Sequence, residues 1–171
     1  MFDLNDPDMR EIVIDFCDEC DALTNELEDC LDKFEDEEEP QNLEQYGQIV
    51  DRMMGAAQTL GITDLGQLCK MGKIIGYKSS QCEELELQNV SSGILFDLTD
   101  LLKALILELR DPTQKNNINV EAFLGRLKWL GEKLQHIKRS SCSFEGDSDS
   151  HEKSDDHIDH LIENFSDKKT D

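Results

Sequence analysis

From residue 12 to residue 137 the apolar residues of this chain recur every three or four positions, in five runs separated by short polar, glycine or proline stretches. That rhythm fits the 3.6-residue helical turn and not the two-residue alternation of a strand, so each run is expected to form one buried stripe of a helix. Ile12, Phe16, Cys20, Leu23, Leu27, Leu31 and Phe34 mark a long first helix to about residue 36, entered through Asp6 as cap and Pro7 at its first position. The acidic residues 35–39 end it. Pro40 opens a second helix to about Leu60, with Leu43, Val50, Met53, Ala57 and Leu60 on its inner face, and Gly61 breaks the chain. Thr63 is expected to cap a third helix whose stripe is Leu65, Leu68, Cys69, Gly72 and Ile75, with small Gly72 and Gly76 allowing close packing. A fourth helix, over about 83–109, turns Val90, Ile94, Leu98, Leu101, Leu102 and Leu105 inward until Asp111-Pro112 stops it. A fifth, capped by Asn119, carries Phe123, Leu124, Leu127, Leu130, Leu134 and Ile137.

Short connections make an antiparallel up-and-down bundle the natural way to bury five stripes, so an all-α domain is expected over residues 1–139. Nothing reads as a strand. From Ser140 the composition shifts to Ser, Asp, Glu, Gly and Lys, with too few apolar residues to offset the entropy of ordering, and residues 140–171 are expected to be a disordered acidic tail.

The net charge of −22 opposes binding to nucleic acid, whose phosphates would repel this surface. Residues 1–39 hold 17 acids and 2 bases, residues 40–139 hold 12 of each, and residues 140–171 hold 10 acids and 3 bases. A partner with a basic rim is therefore favoured at the first helix and the tail, unless the acids form only a solvated face. No run approaches the length of a membrane span, and the acidic start Met-Phe-Asp-Leu-Asn-Asp is the opposite of a basic leader, so a cytoplasmic protein without a membrane partner is expected. Cysteines 17, 20, 30, 69, 82 and 142 are scattered; Cys20 and Cys30 follow the helical rhythm, and buried free thiols are the expected reading. Cys17-Asp-Glu-Cys20 has metal-like spacing but no second pair, and His157-x-x-His160 reads as solvated histidines, so no metal site is expected. His136 is expected to be partly exposed at the bundle's end, and Trp129 to make a core or dimer contact beside Leu130.

On the second helix Glu44, Gln48, Asp51, Gly55 and Gln58 follow an i, i+4, i+7, i+11, i+14 series opposite the apolar stripe, forming a polar ridge that can meet a partner. This segment resembles the central helix of the histidine phosphotransfer (Hpt) family, with pattern His-x-x-Lys-Gly-x-x-x-x-Leu/Phe-Gly. Gly55, Thr59, Leu60 and Gly61, followed by Thr63-Asp64-Leu65, match. Asp51 stands where the phospho-accepting histidine would be and Met54 where the lysine would be, so phosphate relay is not expected. The resemblance covers about residues 9–109 and implies a four-helix core. The fifth helix is similar to the extra helix in phosphotransfer domains of chemotaxis histidine kinases.

In the tail, Ile158, Leu161, Ile162 and Phe165 fall at i, i+3, i+4, i+7 beside Asp155, Asp156 and Asp159, an apolar stripe suited to a helix-in-groove ligand. The alternative is a terminal helix that packs on its own bundle. Asp156, Ile158, Asp159, Leu161 and Ile162 resemble the receiver-binding peptide of the CheZ family of chemotaxis phosphatases. Glu44-x-x-x-Gln48, with Gly47 and Arg52-Met53-Met54, is similar to that family's Asp-x-x-x-Gln pair, although Glu44 is one methylene longer than the family's Asp. The resemblance implies a CheY-like response regulator as partner, with Gln48 orienting the hydrolytic water on the phospho-aspartate and Glu44 pairing with the receiver's lysine. Mg²⁺ would belong to the receiver, and this chain needs no cofactor of its own. Asp51, Met54, Gly55 and Gln58 would line the docking face, with Asp51 able to compete for Glu44's contact. The rival reading is a pseudo-Hpt adaptor that docks on a receiver or a histidine kinase without catalysis; a plain bundle with an unrelated partner is the third. A monomer is expected, since one chain has helices enough to close a core.

Overall fold

Prolines and glycine set several of the helix ends. A computed structural model describes residues 7–114 and 120–137, and among these residues all regular structure is helical. The helices are α1 (Pro7–Glu37), α2 (Pro40–Thr59), α3 (Thr63–Ser80), α4 (Leu85–Arg110) and α5 (Val120–Lys133). Pro7 and Pro40 are first residues of their helices, where a missing N–H costs nothing. Glu38 closes α1 in the left-handed region at φ 53°, donating its N–H to the Phe34 carbonyl at 2.8 Å, and Gly61 does the same after α2 at φ 72°. Two expected caps, Asp6 and Asn119, lie outside the described residues, as does the whole of 138–171. Thr63 is not a cap: Ile62 holds that position without a side-chain bond, and the Thr63 hydroxyl reaches back to the Gly61 carbonyl at 3.4 Å.

α1 packs on α2 and α4, α2 on α3, and α3 on α4, so the first four helices close a ring in chain order; α5 lies against α4. With connections of two to four residues among the first four helices, this is the antiparallel up-and-down bundle, and a longer connection leads to α5. Its centre holds Leu27, Leu31, Leu43, Met53, Leu68, Leu95 and Leu98, all fully buried. The stripes of α3 and α5 are buried as expected, save that Ile137 is only partly covered. Two expected core residues are not in it. Ile12 is 47 % exposed because its neighbour Val13 turns inward, and Val90 is 43 % exposed while Ser91 and Ser92 take the buried positions. Leu60 and Leu105 are partly buried and pack against the core from its edge.

The α2–α3 contact is made backbone to backbone. A Cβ on Gly76 would stand 2.8 Å from the Leu43 carbonyl oxygen and 3.0 Å from the Gly47 nitrogen, and one on Gly47 would meet the Tyr77 ring at 3.3 Å. Beside this crossing Tyr46 is fully buried. Its hydroxyl lies 3.0 Å from Thr99 Oγ1 and 3.2 Å from the Leu95 carbonyl, while the Thr99 hydroxyl donates to that carbonyl at 2.9 Å. Cys17, Cys20, Cys30, Cys69 and Cys82 are free and buried. α1 and α4 are tied at their ends: Arg10 donates to the Leu109 carbonyl at 2.7 Å and to that of Arg110, and Arg110 pairs with Asp18 and Asp21 at 2.6 and 2.5 Å.

Candidate functional site on the outer face of α2

Because Leu43, Tyr46, Val50, Met53 and Ala57 occupy the inner side of α2, the opposite side must face outward. Gln48, Gly55 and Gln58 are exposed there, and Glu44 and Asp51 are half-buried at its margin. A Cβ on Gly55 would meet nothing within 4 Å, so the ridge dips to bare backbone one turn beyond Asp51. Met54 is partly buried and packs against the core; it contributes less to the outer rim than its place in the series implies.

The second half of the site comes from α3, and the residue series on α2 gave no sign of it. Lys73 donates to Asp51 Oδ1 at 2.6 Å across the helix crossing. Lys70, one turn earlier on α3, is held below the usual ammonium range by partial burial and then by the like charge of Lys73. The signal available was the Lys70-x-x-Lys73 spacing, which sets two ammonium groups one helical turn apart. The centre of the ridge is thus a neutralised ion pair flanked by amides, not an isolated carboxylate. Asp51 is drawn toward α3 and so is a weaker competitor for any contact made by Glu44.

Such a surface has no nucleophile and no base aimed at a common point. What it offers is an exposed carboxamide, Gln48, one turn from a carboxylate, Glu44, on a rigid helix. A carboxamide both donates and accepts, and can hold a water molecule without ionising. Among the described residues no three His, Cys, Asp or Glu side chains are grouped to hold a metal ion, and no helix is long and apolar enough to cross a membrane. His136 is exposed in the turn after α5, and Trp129, expected in a core or dimer contact, is 43 % exposed with the Lys133 ammonium 5.7 Å from its ring centre.

Among the described residues, openings also lie away from the ridge. One, about 540 Å³, is bounded by Ile62, Thr63, Leu65, Leu105 and Leu109 at the α2–α3 turn. Another, about 610 Å³, runs between α4 and α5. The tail residues Asp156, Ile158, Asp159, Leu161, Ile162 and Phe165 lie outside the described residues. In comparisons with known proteins, no family model, curated protein or solved structure matches this chain.

Proposed function

We propose that this protein binds the receiver domain of a CheY-like response regulator through the outer face of α2 and the 155–165 segment, and speeds hydrolysis of the receiver's phospho-aspartate. The observation that carries the reading is the outward placement of Gln48 one helical turn from Glu44 on a helix whose other side is fully packed. Water attacks phosphorus in line, the bond to the aspartyl oxygen breaks, and inorganic phosphate leaves with the carboxylate restored. The receiver supplies Mg²⁺ and a lysine for charge; the Gln48 amide supplies orientation, holding the water on the attack line. Glu44 pairs with the receiver's lysine and fixes the insertion. The Asp51–Lys73 pair keeps the docking centre close to neutral, which lowers repulsion against an acidic phosphoryl pocket.

Gln48→Ala should leave receiver binding intact and lose the acceleration of phosphate decay; equal acceleration by the variant and the native chain would remove Gln48 from the mechanism. The partial burial of Glu44 favours a second reading, in which the ridge docks on a receiver or a histidine kinase without catalysis. Tight binding with an unchanged phosphate half-life selects it.

A further inference from the structure

The groove between α4 and α5 is apolar and open, with the Lys133 ammonium at its edge. Val90 and Gly93 form one wall; Ala122, Gly125, Arg126 and Trp129 form the other. Val90 and Trp129 are each 43 % exposed, two large apolar groups that face water from opposite walls of one groove. A Cβ on Gly93 or Gly125 would meet nothing within 4 Å, so the floor is open enough for side chains of a further helix to seat against backbone. Lys133 lies over the Trp129 ring at 5.7 Å, and Arg126 pairs with Asp97 across the groove. Aromatic anchor, aliphatic wall and basic edge are the features that receive an amphipathic helix with an acidic back.

The chain itself contains a sequence with that pattern. Ile158, Leu161, Ile162 and Phe165 make a single stripe, and Asp155, Asp156, Asp159 and Glu163 surround it with no Lys or Arg between them. The last described residue, Ile137, follows Trp129 of the groove by eight positions. Trp129 lies about 12 Å back along the helix direction from that point. The residues joining Ile137 to Ile158 reach up to about 70 Å when extended. Tethered at about 1 mM effective concentration, even a contact with a Kd near 0.1 mM is closed about nine times in ten. A second copy is the weaker occupant, since each chain carries a net charge of −22.

We propose that the α4–α5 groove is a docking site for the chain's own segment 155–165, held as an amphipathic helix with its apolar stripe on Val90 and Trp129. The stripe cannot face this groove and another protein together. Any partner of the tail must therefore compete with the groove; that the partner is a receiver rests on the function proposed above, whereas the docking does not.

Trp129 is the only tryptophan of the chain, so its fluorescence reports the groove without labelling. In the full-length protein, acrylamide quenching is compared between the native chain and a variant carrying Ile158→Asp, Leu161→Asp and Ile162→Asp. The expected result is a quenching constant about twofold higher in the variant and a red-shifted emission, the change expected if docking covers half or more of the ring. Val90→Glu, at an exposed groove position, should give the same rise with the tail sequence intact. Equal quenching in all three chains would overturn the proposal. So would shielding that persists in the tail variant and grows with protein concentration, because a second copy would then fill the groove. No receiver is present in this measurement, so its failure is separable from failure of the receiver reading.

Discussion

Gly76 shows how one residue fixes the distance between two helices. Its missing side chain lets the α3 backbone touch that of α2, and an added methyl would strike the Leu43 carbonyl and Gly47, neither of which can swing away. Gly76→Ala should therefore cost about 3 kcal/mol in urea denaturation. Gly55→Ala, in the same contact region of sequence but with open space around it, should instead gain about 0.5–1 kcal/mol from helix propensity. The opposite signs are the test, since a loose α2–α3 contact would make both substitutions stabilising. The buried thiols make a second prediction. Burial, and then the neighbouring Cys17, push the Cys20 thiol up to about 12 from 9.0; burial also raises Cys69. The folded chain thus keeps protons that the unfolded chain releases, and stability is undiminished below about pH 9 and lost above it. Each such thiol costs about 1.4 kcal/mol per pH unit in that window. Denaturation at pH 10 should show a lower midpoint than at pH 8, and Cys20→Ala should flatten the difference.

At the scale of elements, the stripes of α2 and α5 were legible because each has one apolar side and one polar side; α3 buries its expected stripe and also Met71, Ile74, Lys78 and Ser79, because it is covered on almost every side. α1 and α4 were misread where that contrast fails. Ile12, Val13 and Ile14 are consecutive and span more than half the helix circumference, so periodicity does not choose among them. The packing of α1 on α4 does: Arg10 bonds the last α4 carbonyls and Cys17 Sγ lies 3.7 Å from the Ile106 carbonyl, and this phase puts Val13 inside. In α4 the buried row includes Gln88, Ser91, Ser92 and Thr99, polar residues that sequence patterning assigns to the surface. Gln88 donates to the Cys82 carbonyl at 2.7 Å and Ser91 to the Leu87 carbonyl at 2.7 Å, so the burial of these two is compensated, while the buried Ser92 hydroxyl has no partner among the described residues; with this row inside, Val90 faces outward. The outer ridge of α2 was readable from its own stripe. Lys73 was not, since which residue of α3 meets Asp51 depends on a crossing that glycines set. Tyr46→Phe should cost about 1 kcal/mol, because Thr99 retains its bond to Leu95 and only the phenol's share is lost. A loss above about 3 kcal/mol in the same denaturation assay would mean that the Tyr46 hydroxyl anchors more than this one crossing.

For the molecule as a whole, charge sets the context in which the ridge acts. The 17 acids before residue 40 lie mostly on α1, which packs beside α2 and across the ring from α3 with its Lys70 and Lys73, so the ridge with its neutralised centre adjoins an acidic helix on one side and a basic pair on the other. Mutual repulsion within α1 weakens the fold at low ionic strength, and the melting temperature should rise as NaCl is raised from about 10 to 200 mM, over which the screening length falls severalfold. A fall instead would show that the Arg110 and Lys103 ion pairs to α1 outweigh the repulsion. The most direct measurement of the ridge itself is a backbone amide NMR titration of the full-length protein with CheY-like receivers held in the phosphorylated form by a beryllofluoride mimic. Shifts concentrated at Gln48, Asp51, Gly55 and Gln58, and lost with Gln48→Arg, are the expected result; a receiver that binds while leaving α2 unperturbed, or a full set of such receivers that does not bind, would contradict it.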